Sequence, residues 1–386
     1  MTGARAELAA AIDGLGLVDH HVHGLLRAEL DRPAFEAVIT ESFESAAAGT
    51  SWFDSPVGFA VRAHCAPVLD LPAHAGPDAY LARRQELGAA EVNRRMLAAS
   101  GVARLLIDTG HRASEITGLE ETAAIAGQAV GAVVRLEAVA EEVAAEGPDA
   151  AGFAASFADR LAAVAADAVG LKSVVAYRLG LDFDPARPSP AEVAAAAGEW
   201  LRGGGGRLTD PVLLRAGIWA GLDLGLPLQF HVGYGDPDLR LHRCNPLLMT
   251  DFLAAAPRQV PVMLLHCYPY HREAGYLAQV FPHVYFDVGE AVNYTGARSR
   301  AVLAESLELA PFGKALFSSD AWGPAELHLL GAVLWRRGMA SVLGDLVLAG
   351  EWSLSDAVRV ATMIGRDNAL RVYRLGASEI DEPFTR

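Results

Sequence analysis

Hydrophobic and polar positions along this chain fall into two alternating regimes. Eight short apolar runs recur, each closing on small or polar residues. They are "LGLVDHHVH" (15–23), "VARLLIDTG" (102–110), "AVVRLEAVA" (132–140), "VGLKSVVAY" (169–177), "LPLQFHVGY" (226–234), "VPVMLLHCY" (260–268), "VYFDVG" (284–289) and "ALFSSDAW" (315–322). Continuous apolarity rather than strict alternation is the pattern of a strand buried on both faces. Between most of these runs the spacing changes to three or four residues. In "AAGFAASFADRLAAVAADA" it sets Phe153, Phe157, Leu161 and Val164 on one helical face. "TDPVLLRAGIWAGLDLG" opens on a capping Thr209 or Asp210, carries Pro211 in its first turn and closes on Gly225. "NPLLMTDFLAAA" repeats that design with Asn245 and Pro246. Eight strands alternating with helices predict an α/β chain whose parallel sheet closes as a (β/α)8 TIM barrel.

Two regions depart from this rhythm. Residues 24 to about 100 hold no convincing strand, and "ITESFESA" and "GPDAYLARRQELGAAEVNRRMLAAS" read as helices. A helical insertion of that length between strands one and two is expected to act as a lid over the barrel mouth. Further helices are expected over 341–376. The domain expectation is a single barrel over 1–386 with the insertion, 24–100, inside it.

Composition narrows the partners. With 52% hydrophobic and 20% charged residues the chain can bury a large core. A net charge of -15 without any Lys/Arg block argues against nucleic acid. Cys65, Cys244 and Cys267 form no CxxC pair, so reduced thiols are expected. The first residues lack the apolar core of a secretion signal, and no apolar run approaches the roughly 20 residues of a membrane span. A cytoplasmic protein acting on a small molecule, away from membranes, is the expectation.

The candidate chemistry lies at the strand ends, the active-site face of such a barrel. His21 and His23 end strand one, Lys172 strand four, His231 strand five, His266 strand six and Asp320 strand eight. Residues at i and i+2 share a face, so His21 and His23 point inward together. His231 and Asp320 complete a set of imidazole and carboxylate donors suited to Zn²⁺, with Mn²⁺ or Fe²⁺ as alternatives. A single buried histidine is more often a satisfied core residue; the joint pattern on several strands favours a metal site. His20 is expected to point outward. Asp19 is expected to share the inward parity and orient a ligand. His266 is read as a second-metal ligand or a hydrogen-bond donor to a substrate carbonyl, and Cys267 as core. Lys172 reads as a satisfied cation, a substrate contact, or a carbamate bridging two ions; Glu137 as a further ligand or its partner. Tyr177, Arg178, Asp236 and Arg240 are candidate substrate contacts, arginine because its fork binds both oxygens of a carboxylate; Asn245 is a supporting polar residue of the same loop, and each alone is as readily a loop-stabilising residue. Glu41 enters the mouth if the insertion folds over it.

With the order HxH, Lys, His, His, Asp in place, the chain resembles the amidohydrolase superfamily. "VDHHVH", "FHVGYGDPD", "LLHCYPY" and "LFSSDAW" are similar to its second family, in register across nearly the whole length. "VVRLEAVAEE", "LKSVVAYRLGL" and "QFHVGYGD" resemble the amidohydrolase-like half of fungal proteins fused to a type I glutamine synthetase domain. The resemblance implies that His21, His23, His231 and Asp320 bind or face one or two divalent ions. It implies catalysis by Asp320, His266 and Lys172, and cleavage of an amide or similar bond, with a γ-glutamyl or amino-acid amide as the associated guess. The alternatives are a metal-dependent decarboxylase on the same barrel and a regulatory barrel without turnover. A homo-oligomer is a family-level expectation.

Overall fold

In the computed structural model, which describes residues 2–376, seven parallel strands pair in chain order. They are β1 (Leu17–Val22), β2 (Val102–Asp108), β3 (Ala129–Arg135), β4 (Ala168–Ser173), β5 (Leu228–Val232), β6 (Val262–His266) and β7 (Val284–Phe286). Met1 and 377–386, inside the expected domain limits, lie outside the described residues. Helices separate the strands, as a parallel sheet with both faces covered requires. The helix Pro211–Asp223 starts as its sequence dictates: the Asp210 side chain accepts from the Val212 and Leu213 amides, a cap worth about 1 kcal/mol. No helix among the described residues is long and apolar enough to cross a membrane.

The expected eighth strand is not a regular one. Residues 315–321 nevertheless fill the gap between β7 and β1. The Leu316 amide donates to Phe286 O at 3.0 Å, His20 N to Phe317 O at 3.2 Å, Asp320 N to His21 O at 3.2 Å and His23 N to Ala321 O at 2.8 Å. The ladder is irregular because side chains take over part of it. Asp19 accepts from the Ser319 amide and hydroxyl at 3.0 and 2.5 Å, and Asp320 bends into the left-handed region at φ 51°.

Two strand limits also differ. The run 132–140 straddles an element change: β3 ends at Arg135 and Leu136–Ala145 is a helix. "LEAVAEEVAA" is made of strong helix formers, which local propensity carries once the strand has ended. Likewise β4 ends at Ser173, and Val175–Arg178 forms one helical turn.

Between β1 and β2 lie helices at Arg32–Ala37, Pro56–Ala60, Pro77–Leu87 and Ala89–Ser100, joined by shorter turns. "ITESFESA" is not helical. There the Thr40 and Ser42 side chains accept from the amides of Ser42 and Glu44, a local alternative to helical bonding.

The core has two parts. Val18, Leu106, Val133, Met263, Leu265 and Leu316 fill the barrel interior, with Ala369, Val372 and Tyr373 packed against them. A larger cluster lies between the sheet and its helices.

Candidate metal centre and its cavity

β1 does not keep simple alternation. Its pairing with β2 shifts between Asp19 and Val22, a bulge that places His20 and His21 consecutively inside the barrel. His20 therefore does not point outward: it is fully buried, and its ring meets the interior Tyr373 at 5.8 Å between centroids. Asp19 accepts from the Ser319 amide and hydroxyl and from the His21 backbone, so it holds the chain of a candidate ligand rather than its ring.

Above that layer the strand ends converge. Asp320 Oδ1 lies 3.1 Å from His21 Nε2 and 3.5 Å from His23 Nε2, while Oδ2 lies 3.4 Å from His266 Nδ1. The His231 and His266 rings are 4.6 Å apart. One donor atom each from His21, His266 and Asp320 come within 4.8 Å of one another, as do those of His21, His23 and Asp108. His266 thus stands in the tight group beside His21 and Asp320, with His231 next to it. The backbone is strained where these groups are presented, with His266, Cys267 and Asp320 at φ 69°, 55° and 51°. Cys267 itself is buried core.

The hydrogen-bond network fixes which nitrogen of His21 is free. Gln229 Nε2 donates to His20 O and Tyr373 Oη, both at 2.8 Å. Its carbonyl oxygen must then accept from His21 Nδ1–H, at 2.8 Å. That leaves a lone pair on His21 Nε2, pointed at a carboxylate. Burial, followed by the Lys172 charge, pushes His21 down to about 3. Burial lowers His266 to about 4, and burial with the neighbouring His266 drives His231 well below its ordinary value. Burial alone would raise Asp320, but the imidazoles of His266, His21 and His23 hold it well below the usual carboxylate range. With His21 Nδ1–H committed to Gln229, the Nε2 lone pair of His21 faces the Asp320 carboxylate at 3.1 Å, an arrangement that a cation between them satisfies. His231 Nε2, His266 Nδ1 and Asp320 Oδ1 are buried without a hydrogen-bond partner, as ligand atoms would be. The residues fit a divalent ion.

These groups line a cavity of about 220 Å³ that also receives Lys172, Tyr177, Arg178 and Asp236. Lys172 is buried with Nζ 3.4 Å from His21 Nε2, and burial lowers it to about 8. The Tyr177 ring packs on His231 at 4.5 Å. Arg178 pairs with Glu141 at 3.1 Å and keeps its Nε unpartnered. The loop after β5 needs two glycines to come this close. A Cβ on Gly233 (φ +83°) would sit 2.3 Å from Tyr268 O, and one on Gly235 would sit 2.3 Å from Tyr177 Oη and 3.1 Å from His231 Nε2.

Arg240 is not brought to the cavity: it is exposed and donates to Pro237 O and Leu239 O. Asn245 caps the turn Pro246–Met249. Glu137, at a helix start rather than a strand end, holds Ser173 Oγ at 2.7 Å and the Val174 amide at 2.9 Å. Glu41 does reach the cavity.

Sequence reasoning missed several lining residues. Glu290 stands just past "VYFDVG", at one of the two strand ends, those of β2 and β7, where no polar residue was singled out. His111, three residues beyond β2, packs its ring on His23 at 4.8 Å and on Trp322 at 5.4 Å. Arg135, hidden by the displaced β3, pairs with Asp108 at 2.6 Å. Each lies at or just beyond a strand end, and correct strand limits would have exposed it.

The family model described as Amidohydrolase matches residues 18–375. Among curated proteins, fluG of Emericella nidulans is 32% identical over 284 residues, 63% of this chain and 32% of that protein. The chain thus spans about a third of that relative's length. Among solved structures, a protein from Lactobacillus casei ATCC 334 put forward as a metal-dependent hydrolase is 32% identical, with a TM-score of 0.84 over 97% of this chain and 99% of its own. A uronate isomerase from Thermotoga maritima, at 13% identity and a TM-score of 0.63 over 96% and 97% of the two chains, shares the fold.

Proposed function

The chain belongs to the amidohydrolase family, and on that premise we propose that it is a metal-dependent hydrolase cleaving an amide bond of a small molecule. The observation that carries this reading is the lone-pair confrontation around Asp320: His21 Nε2, stripped of its proton by the Gln229 contact, faces the ionised carboxylate at 3.1 Å. His21, His23, His266 and Asp320 hold the ion, with His231 beside them, and the nitrogen–carboxylate set suits Zn²⁺. A divalent cation bound there supplies Lewis acidity that brings water toward ionisation near neutral pH.

The remaining work falls to side chains. Asp320, its Oδ1 without a hydrogen-bond partner, takes the proton of the attacking water and passes it to the leaving nitrogen. Lys172, buried beside His21, donates to the carbonyl oxygen as charge builds on it. Tyr177 closes the wall over His231, and Arg178 offers its free Nε–H to a substrate carboxylate. The insertion between β1 and β2, which brings Glu41 to the cavity, covers the mouth and limits water.

The test is elemental analysis of the native protein combined with product detection on a panel of short amides. About one equivalent of divalent metal per chain and release of an amine or ammonia is expected. Two equivalents, one of them lost in Lys172→Ala, would make Lys172 a carbamate bridge. Release of carbon dioxide from carboxylic acids without amine release would replace hydrolysis by decarboxylation. A metal-free protein would end the reading.

A further inference from the structure

The same cavity holds a second group of acidic side chains that the proposed hydrolysis does not use. Glu290, just past β7, is 4% exposed and lines the cavity, and its Oε2 has no hydrogen-bond partner. Glu41 and Asp236 line the same cavity. Tyr234 and Tyr294 stand beside them, their rings 5.7 Å apart, with the Tyr294 hydroxyl against Glu41. The arginines that share the cavity each pair with another carboxylate, while the Lys172 charge also acts on Glu290. Arg135 is held by Asp108, Arg178 by Glu141, Arg207 by Asp238, and Lys172 lies against His21.

A buried carboxylate without a partner is costly, so a site that keeps one is built for a positive group. Two kinds of cation are candidates. A metal ion needs three or more donors converging on one point. Among the described residues, the groups that converge in this way draw on His21, His23, His266, Asp108 and Asp320, and neither glutamate is among them. An organic ammonium needs less convergence: two or three acceptors spread around it, with aromatic faces alongside.

We propose that Glu290, with Glu41 and Asp236, forms a subsite for a protonated amine, so that the substrate is an amide carrying an ammonium group away from the scissile bond. The inference rests on the reading of the cavity as a substrate site. It adds a charge requirement which that reading does not contain. Burial, followed by repulsion between the two glutamates, raises Glu290 well above the usual carboxylate range, and burial lifts Glu41 to about 7. An entering ammonium relieves that repulsion, which couples its binding to ionisation of the pair.

The experiment is calorimetric titration of the metal-loaded protein with 4-aminobutanamide, its neutral counterpart pentanamide, and the anionic succinamate, under conditions where none is turned over. The cationic amide is expected to bind about 10- to 100-fold more tightly than the neutral one, the range for a charged hydrogen bond in a closed site. In Glu290→Gln that preference should fall by about tenfold or more while pentanamide affinity stays unchanged. Glu41→Gln, in a partly exposed loop, gives an independent reading and should lower the preference less. Equal binding of the cationic and neutral amides, or a preference that survives in both variants, overturns the subsite. So does a divalent ion that binds the wild type and is lost in Glu290→Gln. Because the comparison needs no turnover, it stands or falls apart from hydrolysis: a protein that prefers the cationic amide but never cleaves it refutes only the hydrolase reading.

Discussion

Inside the barrel, two layers of histidine and carboxylate lie one above the other with opposite bonding. In the lower layer His20 Nε2–H donates to Asp287 at 2.9 Å, and its Nδ1 meets the Tyr373 hydroxyl at 3.0 Å. Asp287 also accepts from the His266 amide, the Gly289 amide and the Ser318 hydroxyl at 2.9, 2.8 and 2.9 Å. In the upper layer His231 Nε2, His266 Nδ1 and Asp320 Oδ1 find no hydrogen bond. The same residue types therefore do different work. A buried imidazole–carboxylate set that closes all its bonds is structure, and one that leaves lone pairs facing each other is a site waiting for a cation. Gln229 joins the layers, since it touches His20, His21 and Tyr373 together.

The strongest way to break this comparison is to change one carboxylate in each layer. Asp320→Asn should lower kcat by about 10²- to 10⁴-fold, the usual weight of a positioned acid–base group. The metal-free variant should stay folded, its unfolding temperature moving far less than that of Asp287→Ala. Activity within tenfold of wild type would remove Asp320 from the chemistry. Asp287→Ala should behave in reverse. It strands His20 and several donors, and removing one partner of a buried pair costs about 3–5 kcal/mol, read from urea unfolding. A loss below about 1 kcal/mol would mean that the lower layer is not structural.

The difference between the layers also explains what was legible in the sequence. The strand runs predicted the parallel sheet because a strand covered on both faces leaves no other apolar signature. The upper layer was legible because its members sit at run ends, where HxH and the isolated His231, His266 and Asp320 stand out. The lower layer was not. Simple alternation assigned His20 outward, and the bulge between Asp19 and Val22 is a pairing irregularity with β2, a long-range property that local pattern does not carry. Asp287 lay inside "VYFDVG" with no local cue to its four donors. Displacement of β3 hid Arg135, and "ITESFESA" failed as a helix because hydroxyl side chains captured its backbone.

A smaller effect is expected from the link between the layers. Gln229→Met removes the acceptor that fixes the His21 tautomer while keeping volume. Apparent metal affinity, measured by competition with a chromogenic chelator, should fall about 10- to 100-fold, as for other groups that orient a ligand. Gln229→Glu keeps an acceptor for His21 Nδ1–H and should recover much of that loss. If both variants bind metal like wild type, the imidazole is oriented by packing alone and the layers are independent.

The smallest change sharpens the comparison most. Tyr373→Phe removes one hydroxyl, which accepts from Gln229 Nε2 and donates to His20 Nδ1. Both groups are buried, so the variant leaves a donor and an acceptor without partners and should lose about 1–3 kcal/mol of stability. His21 is not touched directly. Gln229 keeps its bond to His20 O, so its carbonyl still faces His21. Metal affinity and kcat should therefore stay within about threefold of wild type, a difference under 1 kcal/mol. Stability lost with affinity kept separates a supporting layer from a reacting one. A fall in affinity as large as that of Gln229→Met would show instead that the orientation of His21 depends on the whole hydrogen-bond chain from Tyr373 upward, so that the two layers titrate, bind and fail as one.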